Sequence, residues 1–166
     1  VPLTFTASNY DTPQQITIAG EDDINTQTDT TNVNVLSVGL TTIEVGVTVP
    51  DDDVQSIVVS QTNIPLNEGG TADTFTVRLA FAPLTTINVN MAASDSRINF
   101  NGGATSFAFT PTDYATPRTV TVSANQDNDT ANDNVTIILS DADTTNPTVS
   151  NRTITVPITD DDTQAI

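Results

Sequence analysis

The residues whose types and spacing could do chemistry are acids. Asp51-Asp52-Asp53 and Asp160-Asp161-Asp162 are two runs of three consecutive aspartates. Each closes a segment of alternating apolar residues: Ile43, Val45, Val47 and Val49 before the first, Ile154, Val156 and Ile158 before the second. Alternation at a period of two is the pattern of a half-buried strand, so both triplets are expected at strand ends. Two like charges about 4 Å apart repel by about 1 kcal/mol in water and by about 4 kcal/mol at the effective dielectric of a protein surface. A strand end that carries such a triplet, twice, calls for a cation. Only 4 Lys+Arg stand against 21 Asp+Glu, for a formal net charge of −17. That balance argues against a side chain as the cation. A hard divalent ion bound by oxygen, Ca2+, suits the donor set.

The same composition closes off other chemistries. A net charge of −17 excludes nucleic acid and anionic membrane surfaces, both of which demand basic patches. The chain has no Cys and no His, which removes thiol nucleophiles, imidazole bases, disulfides and the usual zinc sites. An active site would then need paired carboxylates in a cleft, whereas these acids gather at strand ends, so no enzyme is expected. An acidic, Thr- and Asn-rich chain without cysteine suits an extracellular or cell-surface setting, bacterial in flavour, with metal ions in place of disulfides. The sequence opens on Val1 without a signal peptide, and no apolar run approaches the ~20 residues of a membrane span. A mature or excised soluble piece is expected. Asp127 to Ile138 mimics an EF-hand loop but carries Asn132 at its sixth position and Ile138 at its twelfth, where that loop needs Gly and Glu. Asn128, Asn134 and Asn151 head glycosylation patterns, which chance supplies in a chain this rich in Asn and Thr.

The elements that must position the acids are strands. Leu3 to Thr6 alternates, breaks at Asn9-Tyr10-Asp11-Thr12-Pro13, and resumes from Gln15 to Ala19. Phe107 to Thr110, Asp113-Tyr114-Ala115-Thr116-Pro117 and Val120 to Val122 follow the same order 104 residues later. This is an internal repeat. Each copy continues into an acidic loop, Glu21-Asp22-Asp23 or Asp127-Asn128-Asp129, then a strand, Val33 to Leu36 or Val135 to Leu139, then a last strand and a triplet. The triplets are 109 residues apart, which places a five-residue insertion in the loop from Asp141 to Val149. Tyr10 and Tyr114 are each expected to pin a corner of the fold.

Residues 54–106 have no upstream counterpart. Ser56 to Ser60 reads as a strand, and Asn63 to Gly70 as an edge strand broken by Pro65 and ended by a glycine turn. Phe75, Val77 and Leu79 alternate, as do Ile87, Val89 and Met91, and Asn101-Gly102-Gly103 is a turn. No stretch has helical periodicity. Short strands with turn residues between them predict an all-β fold, tandem immunoglobulin-like antiparallel β-sandwiches without significant helix. Residues 54–162 make one complete module of about seven strands, 1–53 only the C-terminal half of another, and 163–166 a linker or tail.

Glu68-Gly69-Gly70 ahead of Thr74 to Leu79, Phe107 to Thr110, Val120 to Asp129 and Thr159 to Asp162 together resemble a Calx-beta domain, a calcium-binding immunoglobulin-like sandwich found in repeats of large bacterial surface proteins. The resemblance implies calcium at one end of the sandwich. Carried over residue by residue, it implies as ligands Glu68, Asp95, Asp127, Asp129, Asp133, Asp160, Asp161 and Asp162, and in the half-module Glu21, Asp22, Asp23, Asp51, Asp52 and Asp53. Asn128 interrupts the acidic loop, which points to fewer ions or weaker binding than in acid-continuous relatives.

Two function classes follow. In the first, the chain is a structural or adhesive module of a surface protein, with calcium stiffening the sandwich ends and the joints, and with a surface glycan or protein as the open ligand class. In the second, it is a subunit of an extracellular filament or matrix that polymerises by β-strand addition between identical subunits. The second class rests on the half-module, whose Leu3, Phe5, Ile16, Ile18, Val33 and Val35 lack a sheet to cover them: either the chain is cut from a longer array that covers them, or a neighbouring chain does.

Overall fold

The computed structural model describes residues 1–142 and 149–164, and among them there is no helix. Eleven strands form. β1 (Asp29–Val35) and β2 (Ile43–Val49) pair only with each other. The rest build a sandwich from β3 (Ile57–Val59), β4 (Leu66–Asn67), β5 (Asp73–Leu79), β6 (Ile87–Ala93), β7 (Ile98–Asn101), β8 (Ser106–Phe109), β9 (Arg118–Ala124), β10 (Asp133–Asp141) and β11 (Arg152–Thr159). One layer runs β4-β11-β10-β6-β8 and the other β3-β5-β9-β7. All pairings within the layers are antiparallel except β4 with β11. The sandwich therefore has nine strands where about seven are expected from its sequence. β4 is the two-residue piece of the expected Asn63–Gly70 edge strand that follows Pro65, and the strand not expected is β7, four residues long and too short to show a period.

Alternation decides which faces meet. Along β5, Phe75, Val77 and Leu79 are buried, and along β11, Ile154, Val156 and Ile158 are buried, with the intervening residues half-exposed or exposed. These join Val89, Phe109, Val122, Ile137 and Leu139 in one core whose members all lie between Ile57 and Ile158. Burying a side chain of this kind contributes about 1.5–3 kcal/mol, which makes this core the source of the fold's stability.

Before Gln55 no residue is buried. Leu3 to Thr6 and Gln15 to Ala19, expected as strands, form none. The residues 104 positions later explain why. Phe107 pairs with Val89 of β6, and Val120 and Val122 pair with β5 and β7; the partners come from 73–101, which has no upstream counterpart. Alternation without a partner for the backbone groups leaves extended chain, not strand. Tyr10 likewise is 72% exposed rather than pinning a corner. Tyr114 is packed against the core, and its carbonyl accepts the N–H of Leu79, a residue for which Tyr10 has no equivalent.

What does recur is local geometry. The N–H and Oγ1 of Thr110 donate to Asp113 Oδ1 at 2.6 and 2.8 Å, and those of Thr6 donate to Asn9 Oδ1 at 2.5 and 2.9 Å. Val33 faces Val45 in the β1–β2 register as Ile137 faces Ile154 in β10–β11, positions offset by 104 and 109. The insertion expected in the Asp141–Val149 loop lies largely at 143–148, outside the described residues, as does the end of the 163–166 tail.

The joint between the two parts is short. Gln55, 5% exposed, donates from Nε2 to the Phe81 carbonyl at 2.7 Å, and its Oε1 accepts the N–H groups of Ser56 and Phe81. Ala82 donates to the Ile24 carbonyl at 2.7 Å, so the N-terminal part touches the sandwich at a second point.

Candidate metal centre

Three loops converge at one end of the sandwich: the turn after β4, the segment from β9 to β10, and the end of β11. The turn after β4 links the layers. Glu68 N–H donates to Thr159 of β11 at 3.0 Å, and Gly69 N–H donates to Ala124 of β9 at 3.2 Å. Gly69 has φ +55° and lies so close to Gln126 that a Cβ would overlap its Oε1. A left-handed backbone without room for a side chain requires glycine. This turn drives the Glu68 side chain inward, and Glu68 is 4% exposed.

Glu68 Oε1 accepts the N–H of Asp127. One carboxylate oxygen each from Glu68, Asp127 and Asp160 lies within 4.8 Å of the other two. Asp160 is held by its N–H, which donates to Asn132 Oδ1 at 2.8 Å, and its Oδ1 accepts the N–H of Asp162 at 3.0 Å. Its Oδ2 is buried and has no hydrogen-bond donor among the described residues while Glu68 is ionised. Burial pushes the Glu68 carboxyl above the usual glutamate range, opposed by the Asp127 N–H and reinforced by the Asp127 charge, by the hydrogen bond its protonated form makes to the Asp160 side chain, and by the Asp160 charge. Asp127 is held below its usual range, first by the Asp129 N–H and, against the effect of burial, by the Arg97 guanidinium. Oxygens that share one calcium at 2.3–2.6 Å lie within about 5 Å of each other, so this trio fits that ion, and the buried Oδ2 of Asp160 is a donor for it.

The other expected ligands sort into different surroundings. Asp161 and Asp162 are approached by Gln126 Nε2, at 3.1 and 3.5 Å. Asp95, Asp129 and Asp133 surround Arg97 instead of joining the trio: Nη1 lies 2.7 Å from Asp133 Oδ1 and 3.9 Å from Asp95 Oδ2, and Nη2 lies 4.0 Å from Asp129 Oδ2. Nε donates to Asp127 Oδ2 at 3.0 Å. A side-chain cation thus stands among acids where the charge balance argued for none. Its trace in the sequence is faint, one of four basic residues, two positions after Asp95. Asn132 and Gln126 carry no signal of their own.

In the N-terminal part, Glu21, Asp22 and Asp23 share a pocket with Asp51, Asp52 and Asp53. Packing of Gly20 against Val49 draws the two runs together; a Cβ on Gly20 would stand 2.6 Å from Val49 Cγ1. Asp29, a residue the sequence did not single out, lines the same pocket. The triplet end and the acidic loop here repeat the turns of the sandwich: Asp53 N–H donates to Asp51 Oδ1 as Asp162 does to Asp160, and Asn25 N–H donates to Asp23 Oδ1 as Asp129 does to Asp127. Burial, then Asp51, Asp52, Asp22 and Asp23, raises the Asp53 carboxyl. No Lys or Arg occurs before Arg78.

No family model matches the chain, and no curated protein matches it. Among solved structures it is similar to the periplasmic chaperone SfaE, at 9% identity over 63% of this chain and 58% of that one with a TM-score of 0.48, and to the YadV chaperone, at 7% identity over 67% and 55% with a TM-score of 0.49. It is also similar to domains 4 and 5 of the S-layer protein SbsC, at 20% identity over 80% and 58% with a TM-score of 0.45. The chain spans little more than half the length of these proteins. The likeness is one of β-sandwich architecture.

Proposed function

We propose that this chain is a calcium-binding structural or adhesive module of an extracellular surface protein, Calx-beta-like and non-catalytic. Ca2+ is held between Glu68, Asp127 and Asp160, with Asp161 and Asp162 on the outer side. The observation that carries this reading is the buried Oδ2 of Asp160, which has no donor among the described residues, beside two further carboxylates. Three acids at such spacing repel without a cation, and an ion that binds only the folded state stabilises it by about 2.7 kcal/mol at a hundred times its dissociation constant. The ion joins the β4 turn, the β9–β10 segment and the β11 end into one rigid tip. A second ion at Glu21 to Asp23 and Asp51 to Asp53 stiffens the joint ahead of Val54, where no Gly/Ser linker intervenes. The test is a pair of thermal melts, with calcium and with excess chelator, alongside elemental analysis. A shift of several degrees with bound calcium is expected; coincident melts and no calcium in the protein would sink the reading.

The alternative, polymerisation through β-strand addition, draws on one observation. Among the described residues the β1–β2 sheet has no third strand on either edge, and it leaves Val35, Ile43 and Val45 exposed. Unpaired edges of this kind are templates for another chain. Sedimentation of the purified chain across concentration separates the two: polymers favour assembly, a monomer at every concentration defeats it.

A further inference from the structure

Four aspartates at the tip share one cation that the protein itself supplies. Asp95, Asp127, Asp129 and Asp133 come from the turn before β7, the β9–β10 segment and the start of β10, and the Arg97 guanidinium lies within 4.0 Å of a carboxylate oxygen of each. Arg97 is placed from both sides. Its N–H donates to Asp95 Oδ1 at 2.8 Å, and its carbonyl accepts the N–H of Asn125 at 2.8 Å. The guanidinium is permanently charged and offers its donors in a rigid fork, so it holds the ring wherever the aspartates are ionised. Asp127 belongs to both groups: Oδ2 faces Arg97, and the residue also contributes to the trio with Glu68 and Asp160. A carboxylate has lone pairs enough for both partners.

We propose that Arg97 is the built-in cation of this ring, keeping the 125–133 segment in place without metal and confining calcium to the single position between Glu68, Asp127 and Asp160. The second half of this statement rests on the calcium reading above, the first half does not. A divalent ion among Asp95, Asp129 and Asp133 would have to compete with a fixed positive charge that is 2.7 Å from Asp133 Oδ1 and stands 3.9 and 4.0 Å from oxygens of Asp95 and Asp129. With Arg97 in place, the tip takes one ion where its acid count suggests more.

The experiment uses the full chain and three variants, Arg97→Ala, Arg97→Gln and Arg97→Lys, with calcium titrated calorimetrically and melts recorded in chelator. Arg97→Ala and Arg97→Gln are expected to bind at least one more calcium per chain than the wild type, and to melt several degrees lower in chelator with recovery on adding calcium. Arg97→Lys keeps the charge and is expected to keep the wild-type stoichiometry. The inference is overturned if the neutral variants gain no calcium, if they melt with the wild type in chelator, or if Arg97→Lys gains an ion as they do. A wild type whose melt ignores calcium, and which Glu68→Gln does not alter, instead overturns the calcium reading. The chelator melts still decide whether Arg97 holds the ring.

Discussion

The carboxylate of Glu68 accepts the backbone N–H of Asp127, 59 residues further along the chain. That bond ties a turn which bridges the two layers to the segment that carries Asp127, Asp129 and Asp133. It does so with a group whose ionisation is penalised: burial, and after it the Asp127 charge, the hydrogen bond to the Asp160 side chain and the Asp160 charge, raise the Glu68 carboxyl. A carboxyl with a raised folded-state pKa binds its proton more tightly in the fold than in the unfolded chain. Its contribution to stability is complete at low pH and is lost as pH climbs through the raised value. Without metal, stability is therefore expected to fall with rising pH in the window just above the ordinary glutamate value of 4.5, and Glu68→Gln to flatten that fall. Calcium competes with the proton and is expected to abolish it. Denaturation in chelator from pH 4 to pH 7 checks this, with equal slopes for wild type and variant as the opposing result. Glu68→Gln should also weaken calcium binding by tenfold or more.

Phe109 and Phe5 occupy matching places 104 residues apart, yet Phe109 is fully buried and Phe5 is 54% exposed. Phe109→Ala is expected to cost about 3–5 kcal/mol, the range for emptying a core aromatic site. Phe5→Ala should lie within about 0.5 kcal/mol of the wild type, as exposed substitutions do. Urea unfolding of the two variants provides the comparison. A large loss at Phe5 would mean that the N-terminal part has acquired a cover.

How much of this was legible follows from where each signal lives. Alternation is local, so β1, β2, β5, β6, β9, β10 and β11 could be found from Val, Ile and Phe at every second position. Pairing is not local. Phe5, Ile16 and Ile18 have the right spacing and still form no strand, because strand formation waits on partners elsewhere in the chain. The three acids of the trio were all in the expected ligand set, since repeated runs of Asp and an E-G-G turn stand out in any acidic sequence. Their division between Glu68 and Arg97 was not legible. It depends on how the Asp95–Arg97 turn lies against Asn125, a contact between segments nearly thirty residues apart.

At the corner before β9, Asp113 accepts the N–H and Oγ1 of Thr110 on Oδ1 and pairs with Arg118 Nη2 on Oδ2 at 2.5 Å. These bonds from Thr110, and then the Arg118 charge, hold its carboxyl below the usual aspartate range. The contribution is therefore complete above pH 3.8 and fades as pH drops through the lowered value. Asn9 makes the Thr6 version of this corner with a neutral side chain. Asp113→Asn is accordingly expected to keep the corner and lose only the arginine pair, whereas Asp113→Ala loses both. Melting temperatures at pH 7 should fall in the order wild type, Asp113→Asn, Asp113→Ala. Equal melts for the two variants would show that the corner bonds carry no stability.

The last prediction concerns the β1–β2 hairpin. Its register matches that of β10–β11, but β10 is also paired with β6, from Ile137 to Asp141, and β11 with β4. The positions of β1 equivalent to that β6 contact begin at Val33, and among the described residues they have no strand on the edge away from β2. An isolated two-stranded hairpin is marginal in water, and backbone amides there open without global unfolding. In the monomeric chain, amides of 29–35 and 43–49 are expected to exchange with solvent at least a hundredfold faster than those of β10 and β11, and proteases should cut within 1–53 while sparing the sandwich. If the hairpin acquires a third strand from another chain, its exchange should slow with increasing protein concentration while that of β10 and β11 stays constant. Strong protection of the hairpin at high dilution, in a particle of monomer mass, would contradict both the open edge and the assembly reading built on it.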